Sequence, residues 1–347
     1  MQSIAIFGFG RIGRSALRAA LKENLFVPKV IGDIKDLDNL AALFKVDTNY
    51  GIWPEDVRVE GDNLVIGERK IQYVDVTKGL PDWNALGVDL VVECTGRATT
   101  RAAAQDHINH GAQYVLISAA PKTLQDADAV LLPGINAEAF DPGSHHIVSM
   151  ASCTTNALAS VVKVLRDSFG IQNGFFATVH AYTNTQSLTD QPMKERRDSW
   201  AAAENVIPSS SGAAKALKFI WPDLNVTGKA YRVPVRTGSI VELDANLNRA
   251  VTADEIRQAF RDAAAKAPLK GVMEVLEGEW ASSRIVGDPH TSIIDLPLVQ
   301  VLDGTLVSVA AWYDNEFGYS SRLSEMAGRM YAAAQLQPGK PQKAAAD

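Results

Sequence analysis

Ile4-Ala5-Ile6-Phe7-Gly8-Phe9-Gly10-Arg11-Ile12-Gly13 decides the fold, because an apolar run of strand type passes through G-x-G-x-x-G into an amphipathic segment from Arg11 to Asn24. A strand, a glycine turn and a helix in that order bring backbone N–H groups and the positive end of a helix to one place. An anionic pyrophosphate is the ligand such a place holds. Gly8, Gly10, Arg11, Ile12 and Gly13 are therefore candidate cofactor residues. About twenty residues past Gly13, Asp33 closes the next apolar run, Val30 to Ile34. A carboxylate there accepts hydrogen bonds from the hydroxyls of an adenosine ribose and repels a 2'-phosphate. NAD is favoured over NADP.

The same rhythm continues outward. Leu37 to Phe44 reads as a helix, Leu90-Val91-Val92 and Tyr114 to Ile117 as strands covered on both faces, and Ala102 to Asn109 as a helix between them. Val57 to Val59, Asn63 to Ile66 and Lys70 to Val74 read as a small hairpin region added to this parallel sheet. From about Gly174 the pattern changes to longer strands, Phe175 to His180, Lys229 to Val233, Ile240 to Leu247 and Thr305 to Tyr313, with Ala253 to Ala267 as a helix upon them. The expected class is α/β, a Rossmann-type doubly wound parallel sheet plus a mixed, mainly antiparallel α+β catalytic domain. The expected boundaries are 1–151 for the first domain, with a C-terminal helix over 319–335 packing back on it, and 152–318 for the second. The tail 336–347, rich in Pro, Gly, Lys and Ala, reads as disordered.

Length and charge agree with that division. At 347 residues the chain is about twice an ordinary domain, and a formal charge of -6 offers no field that would gather nucleic acid or anionic lipid. No apolar stretch approaches the roughly 18 residues of a membrane helix. The two cysteines make no disulfide framework, which suits a reducing compartment and a cytoplasmic enzyme.

The chemistry is sought in the second half. Ser152-Cys153-Thr154-Thr155-Asn156 precedes the helical run Ala157 to Ser168, so Ser152 can cap the helix and Cys153 falls in its first turn. The helix dipole there lowers a thiol pKa. From this pentapeptide alone Cys153 reads equally as a nucleophile and as a small buried hydrophobe. Of the six histidines, His180 ends a strand and enters a polar loop, whereas His107, His110, His145, His146 and His290 read as solvated. No His/Cys/Asp/Glu spacing suggests a metal.

With these residues in place, the chain resembles the phosphorylating glyceraldehyde-3-phosphate dehydrogenases from about Ile4 to about Met330. The likeness rests on Gly8 to Arg14, Ala151 to Asn156, His180-Ala181-Tyr182-Thr183-Asn184, Ala201 to Lys215, Arg232-Val233-Pro234 and Trp312-Tyr313-Asp314-Asn315-Glu316. The resemblance implies a glycolytic oxidoreductase that converts glyceraldehyde 3-phosphate, inorganic phosphate and NAD to 1,3-bisphosphoglycerate. It implies Cys153 as nucleophile and His180 as base. Ser152, Thr154, Arg197, Ser211 and Gly212 would bind the attacking phosphate, Thr183 and Arg232 the phosphate of the substrate. Asn315 would hold the nicotinamide carboxamide, with Thr95 and Ser118 lining the cofactor cleft, and the assembly would be a homotetramer.

Departures from the family pattern are few. Phe7 and Gly32 stand where asparagines are usual, Ser211 replaces threonine, Trp200 a basic residue, and Ala157 a second cysteine. Gln191-Pro192 replaces a leucine-proline pair and leaves room for NADP as a secondary cofactor. The rival readings are an erythrose-4-phosphate dehydrogenase, whose branch departs from His-Ala-Tyr-Thr-Asn, and a catalytically idle binding protein. Aspartate-semialdehyde dehydrogenase differs at the glycine motif and around the cysteine.

Overall fold

A computed structural model describes residues 1–336. The described residues divide into two compact units: the first holds Met1–Leu132, Ala137–Ala151 and 320–336, the second Pro133–Asn136 and Ser152–Tyr319.

In the first unit β1 (Gln2–Phe7), α1 (Arg11–Lys22), β2 (Pro28–Asp33) and α2 (Leu37–Lys45) follow one another. Two-residue strands β3 (Val46–Asp47) and β4 (Gly51–Ile52) pair beyond α2, and β5 (Val57–Val59), β6 (Asn63–Ile66) and β7 (Arg69–Asp75) form the added antiparallel region. Then come β8 (Leu90–Glu93), α3 (Arg101–Asn109), β9 (Tyr114–Ile117), β10 (Ala129–Val130) and β11 (Ile147–Ser149). They make one nine-stranded sheet in the order β10-β11-β9-β8-β1-β2-β7-β6-β5. Pairing is parallel from β10 to β7. Chain order reverses on either side of β1, so the glycine loop leaves the sheet at its switch point, where doubly wound sheets bind ligands.

Ala5, Val30, Trp83, Val88 and Val91 form the core on one side of β1. His107 belongs to it. The ring is 2% exposed, takes the Trp83 indole N–H on Nδ1 at 3.2 Å, and meets Phe7 edge to face. Its expected solvated setting is thus wrong, since one face of a short surface helix carries it inward. Burial lowers its pKa from 6.5 to about 4.

The second unit opens with α4 (Cys153–Phe169) and β12 (Ile171–Ala181), followed by β13 (Ile207–Ser210), α5 (Ala213–Ile220), β14 (Val226–Val233), β15 (Ser239–Leu247) and α6 (Ala253–Ala265). β16 (Met273–Leu276), β17 (Ser292–Asp295), β18 (Gln300–Leu302), β19 (Leu306–Tyr313) and α7 (Phe317–Gln335) complete the chain. The eight-stranded sheet runs β13-β14-β12-β15-β19-β17-β16, with β18 on β19. Only the β12–β14 and β16–β17 pairs are parallel. Leu158, Val161, Val162 and Leu165 of α4 are buried, as are Val241, Leu243, Val307 and Val309 of the sheet.

Helix ends differ from the expected ones for local reasons. α1 stops at Lys22 because Asn24 turns left-handed at φ 53°, with Leu25 N–H reaching back to Ala20 O. α6 stops at Ala265 because Ala267 precedes Pro268 and the residue before proline avoids the helical region. α7 begins early at Phe317, since Asp314 Oδ1 accepts the N–H groups of Glu316 and Phe317. From Ser320 it belongs to the first unit, where Ser324 Oγ donates to Ala16 O at 2.8 Å. The expected disordered tail lies, beyond Leu336, outside the described residues.

Candidate active site

The glycine loop is held by contacts that only glycine allows. Gly8 has φ 88°, and a Cβ there would lie 2.8 Å from both Thr95 Cγ2 and Thr95 N. A Cβ on Gly13 would lie 2.1 Å from Gly8 O. Gly10 differs, since nothing lies within 4 Å of its ideal Cβ and it caps α1 with no side-chain bond. The space and the uncapped helix end suit an approaching phosphate. Arg11, first in the helix, pairs its guanidinium with Asp47 at 2.5 Å.

Asp33 fixes this loop from below. Its Oδ2 accepts Phe9 N–H at 2.6 Å, and Oδ1 accepts Ile34 N–H at 2.7 Å and Lys35 N–H at 3.0 Å. A carboxylate offers about four acceptor positions. The half-exposed carboxylate so keeps acceptor capacity for a ribose hydroxyl. Ser118 donates its N–H to Glu93 O at 2.9 Å, which sets it beside the end of β8. Glu93 itself escaped the sequence reading. It is 1% exposed, and its Oε1 takes both the N–H (3.0 Å) and the hydroxyl of Thr95, the residue against which Gly8 packs. Burial raises its pKa.

The second unit carries the reactive side chains. Ser152 caps α4, its Oγ accepting Thr155 N–H at 3.1 Å, and Cys153 is the first helical residue. Cys153 Sγ lies 3.4 Å from His180 Nε2. Residue 153 keeps some contact with solvent, yet the atoms packed around its sulfur push the thiol pKa up, against the pull of Arg232 and the Thr154 N–H. The expected lowering by the helix end is outweighed by that desolvation. Burial and Arg232 together bring the His180 pKa from 6.5 to about 3, so the resting pair is a thiol facing a neutral imidazole. Cys94 is buried and held further from ionisation by that burial and by Glu93.

Strand register supplies the neighbours. β12 and β14 run parallel with His180 opposite Arg232. Arg232 Nη1 consequently lies 2.5 Å from His180 Nδ1 and 3.2 Å from Ala181 O, while Nδ1 is 2.7 Å from Ala181 O. The guanidinium calls for a lone pair on Nδ1 and the carbonyl for a proton, so the two contacts favour opposite tautomers.

Thr178, two residues before His180 on the same strand face, donates to Ile240 O at 3.0 Å. Tyr313 Oη lies 2.8 Å from Thr178 Oγ1 and 2.9 Å from Thr154 Oγ1. Because a carbonyl only accepts, the chain runs from Thr154 O–H to Tyr313, from Tyr313 O–H to Thr178, and from Thr178 to Ile240. The Thr154 hydroxyl hydrogen is thereby turned to Tyr313, while its backbone N–H lies beside the Cys153 sulfur. Neither Tyr313 nor Thr178 was singled out from sequence, although the same-face spacing from His180 carried the signal for Thr178.

The remaining candidates are spread along adjoining segments. Thr183 donates its N–H to Gln186 Oε1 at 2.9 Å, and Gln186 Nε2 donates to Asp198 Oδ1 at 3.1 Å, so the loop after β12 is tied to the 3-10 turn Arg196–Ser199. Arg197 sits in that turn with its side chain exposed. Ser211 and Gly212 form the entry to α5, with Gly212 as cap. Asn315 is 5% exposed and reached by Ser239 and Thr237. Far along the chain, Glu274, Asp288 and His290 also converge, but Arg284 pairs with both carboxylates and makes an ion-pair network of them.

Comparison with known proteins agrees with this geometry. The model of the glyceraldehyde 3-phosphate dehydrogenase NAD-binding domain matches residues 2–101, and that of the C-terminal domain matches residues 152–315. A glyceraldehyde-3-phosphate dehydrogenase of Kitasatospora aureofaciens is 47% identical over 328 residues, covering 93% of this chain and 97% of the relative. Those of Mycolicibacterium smegmatis and Geobacillus stearothermophilus are 44% and 42% identical over 335 and 331 residues, each covering 93% of this chain and 96% of the relative. A glycine loop fit for a dinucleotide, a cysteine at a helix start facing a histidine, and likeness along nearly the whole chain meet in one conclusion: the chain belongs to the glyceraldehyde-3-phosphate dehydrogenase family.

Proposed function

We propose that the chain oxidises glyceraldehyde 3-phosphate to 1,3-bisphosphoglycerate with inorganic phosphate and NAD, and that the Cys153–His180 pair carries the chemistry. The observation behind this is the 3.4 Å approach of Sγ to Nε2 at the start of α4. Arg232, drawn onto the phosphate of the substrate, leaves Nδ1 to keep its proton against Ala181 O, which frees the Nε2 lone pair for the thiol. The thiolate adds to the aldehyde carbon, and the new alkoxide takes the proton back from His180 to give a thiohemiacetal. Bound NAD supplies the acceptor for the hydride that leaves this carbon. His180 accepts the hydroxyl proton in the same step, and a thioester remains on Cys153. A phosphate oxygen then attacks the acyl carbon, the C–S bond breaks, and the thiolate departs.

In this reading Gly8, Gly10, Arg11, Ile12, Gly13 and Asp33 hold the cofactor, with Thr95 and Ser118 beside it and Asn315 on its carboxamide. Ser152, the Thr154 N–H, Arg197, Ser211 and Gly212 receive the attacking phosphate, and Thr183 and Arg232 the phosphate of the substrate. The two units serve as cofactor and catalytic domains. Phe175 and Val179 on β12, and Leu188, Trp200 and Val206 in the stretch after it, are exposed apolar side chains that support a homotetramer. Two free cysteines support a cytoplasmic setting.

The test is NADH formation from glyceraldehyde 3-phosphate and NAD, with and without phosphate. Steady turnover only with phosphate is expected, and Cys153→Ser should bind NAD yet lose turnover by about 1,000-fold or more, as an alcohol is a poor nucleophile near neutral pH. Turnover by Cys153→Ser near the parent rate overturns the assignment. Silence with this substrate and activity with erythrose 4-phosphate would move the chain to that branch.

A further inference from the structure

The orientation of one buried amide is set by a hydroxyl that stands between two parts of the site. Ser239 begins β15 and is wholly buried, directly opposite Tyr313 across the β15–β19 pair. Ala181, the residue after His180, donates its N–H to Ser239 Oγ at 3.1 Å. The backbone N–H can only donate, so Ser239 accepts there and its own hydrogen is left for Asn315 Oδ1, 2.9 Å away. Thr237 Oγ1 lies 3.4 Å from the same oxygen but 2.9 Å from Asp314 Oδ1, so its hydrogen goes to the carboxylate. Asp314 is fixed in turn by the N–H groups of Gly287, Glu316 and Phe317.

These partners leave the Asn315 amide one good orientation. Its oxygen faces Ser239 and its NH2 faces away, with no acceptor for Nδ2 among the described residues. Turned end for end, the amide would present N–H to a hydroxyl whose hydrogen, in the wholly buried Ser239 side chain, then loses its acceptor. The outward group is thus a fixed donor, suited to a carbonyl oxygen and not to an N–H.

We propose that Ser239 is a positioning residue: by holding Oδ1 of Asn315 inward it makes Nδ2 the donor to the carboxamide oxygen of the nicotinamide, and so fixes which face of the ring accepts hydride. This rests on the reading of Asn315 as the carboxamide partner given above. Ser239 touches neither substrate nor cofactor. It acts through Asn315, and its bond to Ala181 N–H ties that amide to the end of the strand bearing the base.

The test is the stereochemistry of transfer. Glyceraldehyde 3-phosphate deuterated at the aldehyde carbon is oxidised with NAD and phosphate, and proton NMR of the product reports which face of the nicotinamide took the deuterium. The parent is expected to label one face. Ser239→Ala is expected to label both faces and to raise the KM for NAD about fivefold, the loss of one hydrogen bond. Should Ser239→Ala fail to fold, Ser239→Cys keeps the volume with a weak donor and should also leak to the second face. Labelling of a single face with parent-like KM by a folded variant overturns the proposal. A parent that forms no NADH would overturn the functional reading, whereas a parent that labels one face alongside an equally faithful variant overturns only the role of Ser239.

Discussion

Gly13 and Gly10 belong to one motif but answer to different demands, and substitution separates them. A methyl group at Gly13 would meet the Gly8 carbonyl at 2.1 Å, backbone against backbone with nothing flexible to yield. Gly13→Ala is expected to cost about 3 kcal/mol or more of stability, read from the urea midpoint. Gly10 has open space and an ordinary φ of -73°. Gly10→Ala should stay within about 0.5 kcal/mol of the parent, while the KM for NAD rises, because the methyl stands where a phosphate must approach. A large loss of stability at Gly10 would mean that this glycine serves the fold and not the ligand. The motif was legible because strand, glycines, helix and acid follow one another within a few dozen residues. His107 was not, because its burial depends on Trp83 and Phe7, whose approach no local pattern announces. The Cys153 thiol was misread for a related reason: a helix start is visible in sequence, the packing that desolvates the sulfur is not.

Elements convert those residues into a site through register. His180 meets Arg232 because β12 and β14 run parallel in that alignment, and Ser239 meets Tyr313 because β15 and β19 run antiparallel in theirs. A slip of one residue would turn each partner to the opposite face. The strands and most helices were readable from periodicity. Pairing partners were not, because no local pattern states which strand lies beside which. Away from this sheet, α6 starts in a capping box in which Thr252 Oγ1 accepts Glu255 N–H at 3.2 Å and Glu255 returns to Thr252 N–H at 2.8 Å. Thr252→Ala is expected to lower stability by about 1 kcal/mol and leave NADH formation unchanged. A drop in turnover at full stability would place α6 in communication with the site.

At the scale of the whole molecule the buried imidazoles weaken the fold in acid. His107 has a folded pKa of about 4 and the unfolded chain takes its proton near 6.5. Below 6.5 the unfolded state therefore binds protons that the native state refuses, and stability falls as pH drops toward 4. The loss for His107 alone is on the order of 3 kcal/mol. His180, with a folded pKa of about 3, acts in the same direction. Urea midpoints measured at about pH 7 and about pH 5 should decline, and His107→Gln should flatten the decline. An unchanged slope in that variant would mean that His107 is not neutral in the native protein.

The first unit is assembled from both extremes of the chain, since Ala16 near its start receives a hydrogen bond from Ser324 across a separation of 308 residues. Synthesis delivers these segments in order. Residues 1–151 leave the ribosome long before α7 exists, so the first unit waits, with the Ala16 carbonyl lacking its Ser324 partner, while the entire second unit is translated and free to fold ahead of it. The part of the polypeptide made first is the part finished last.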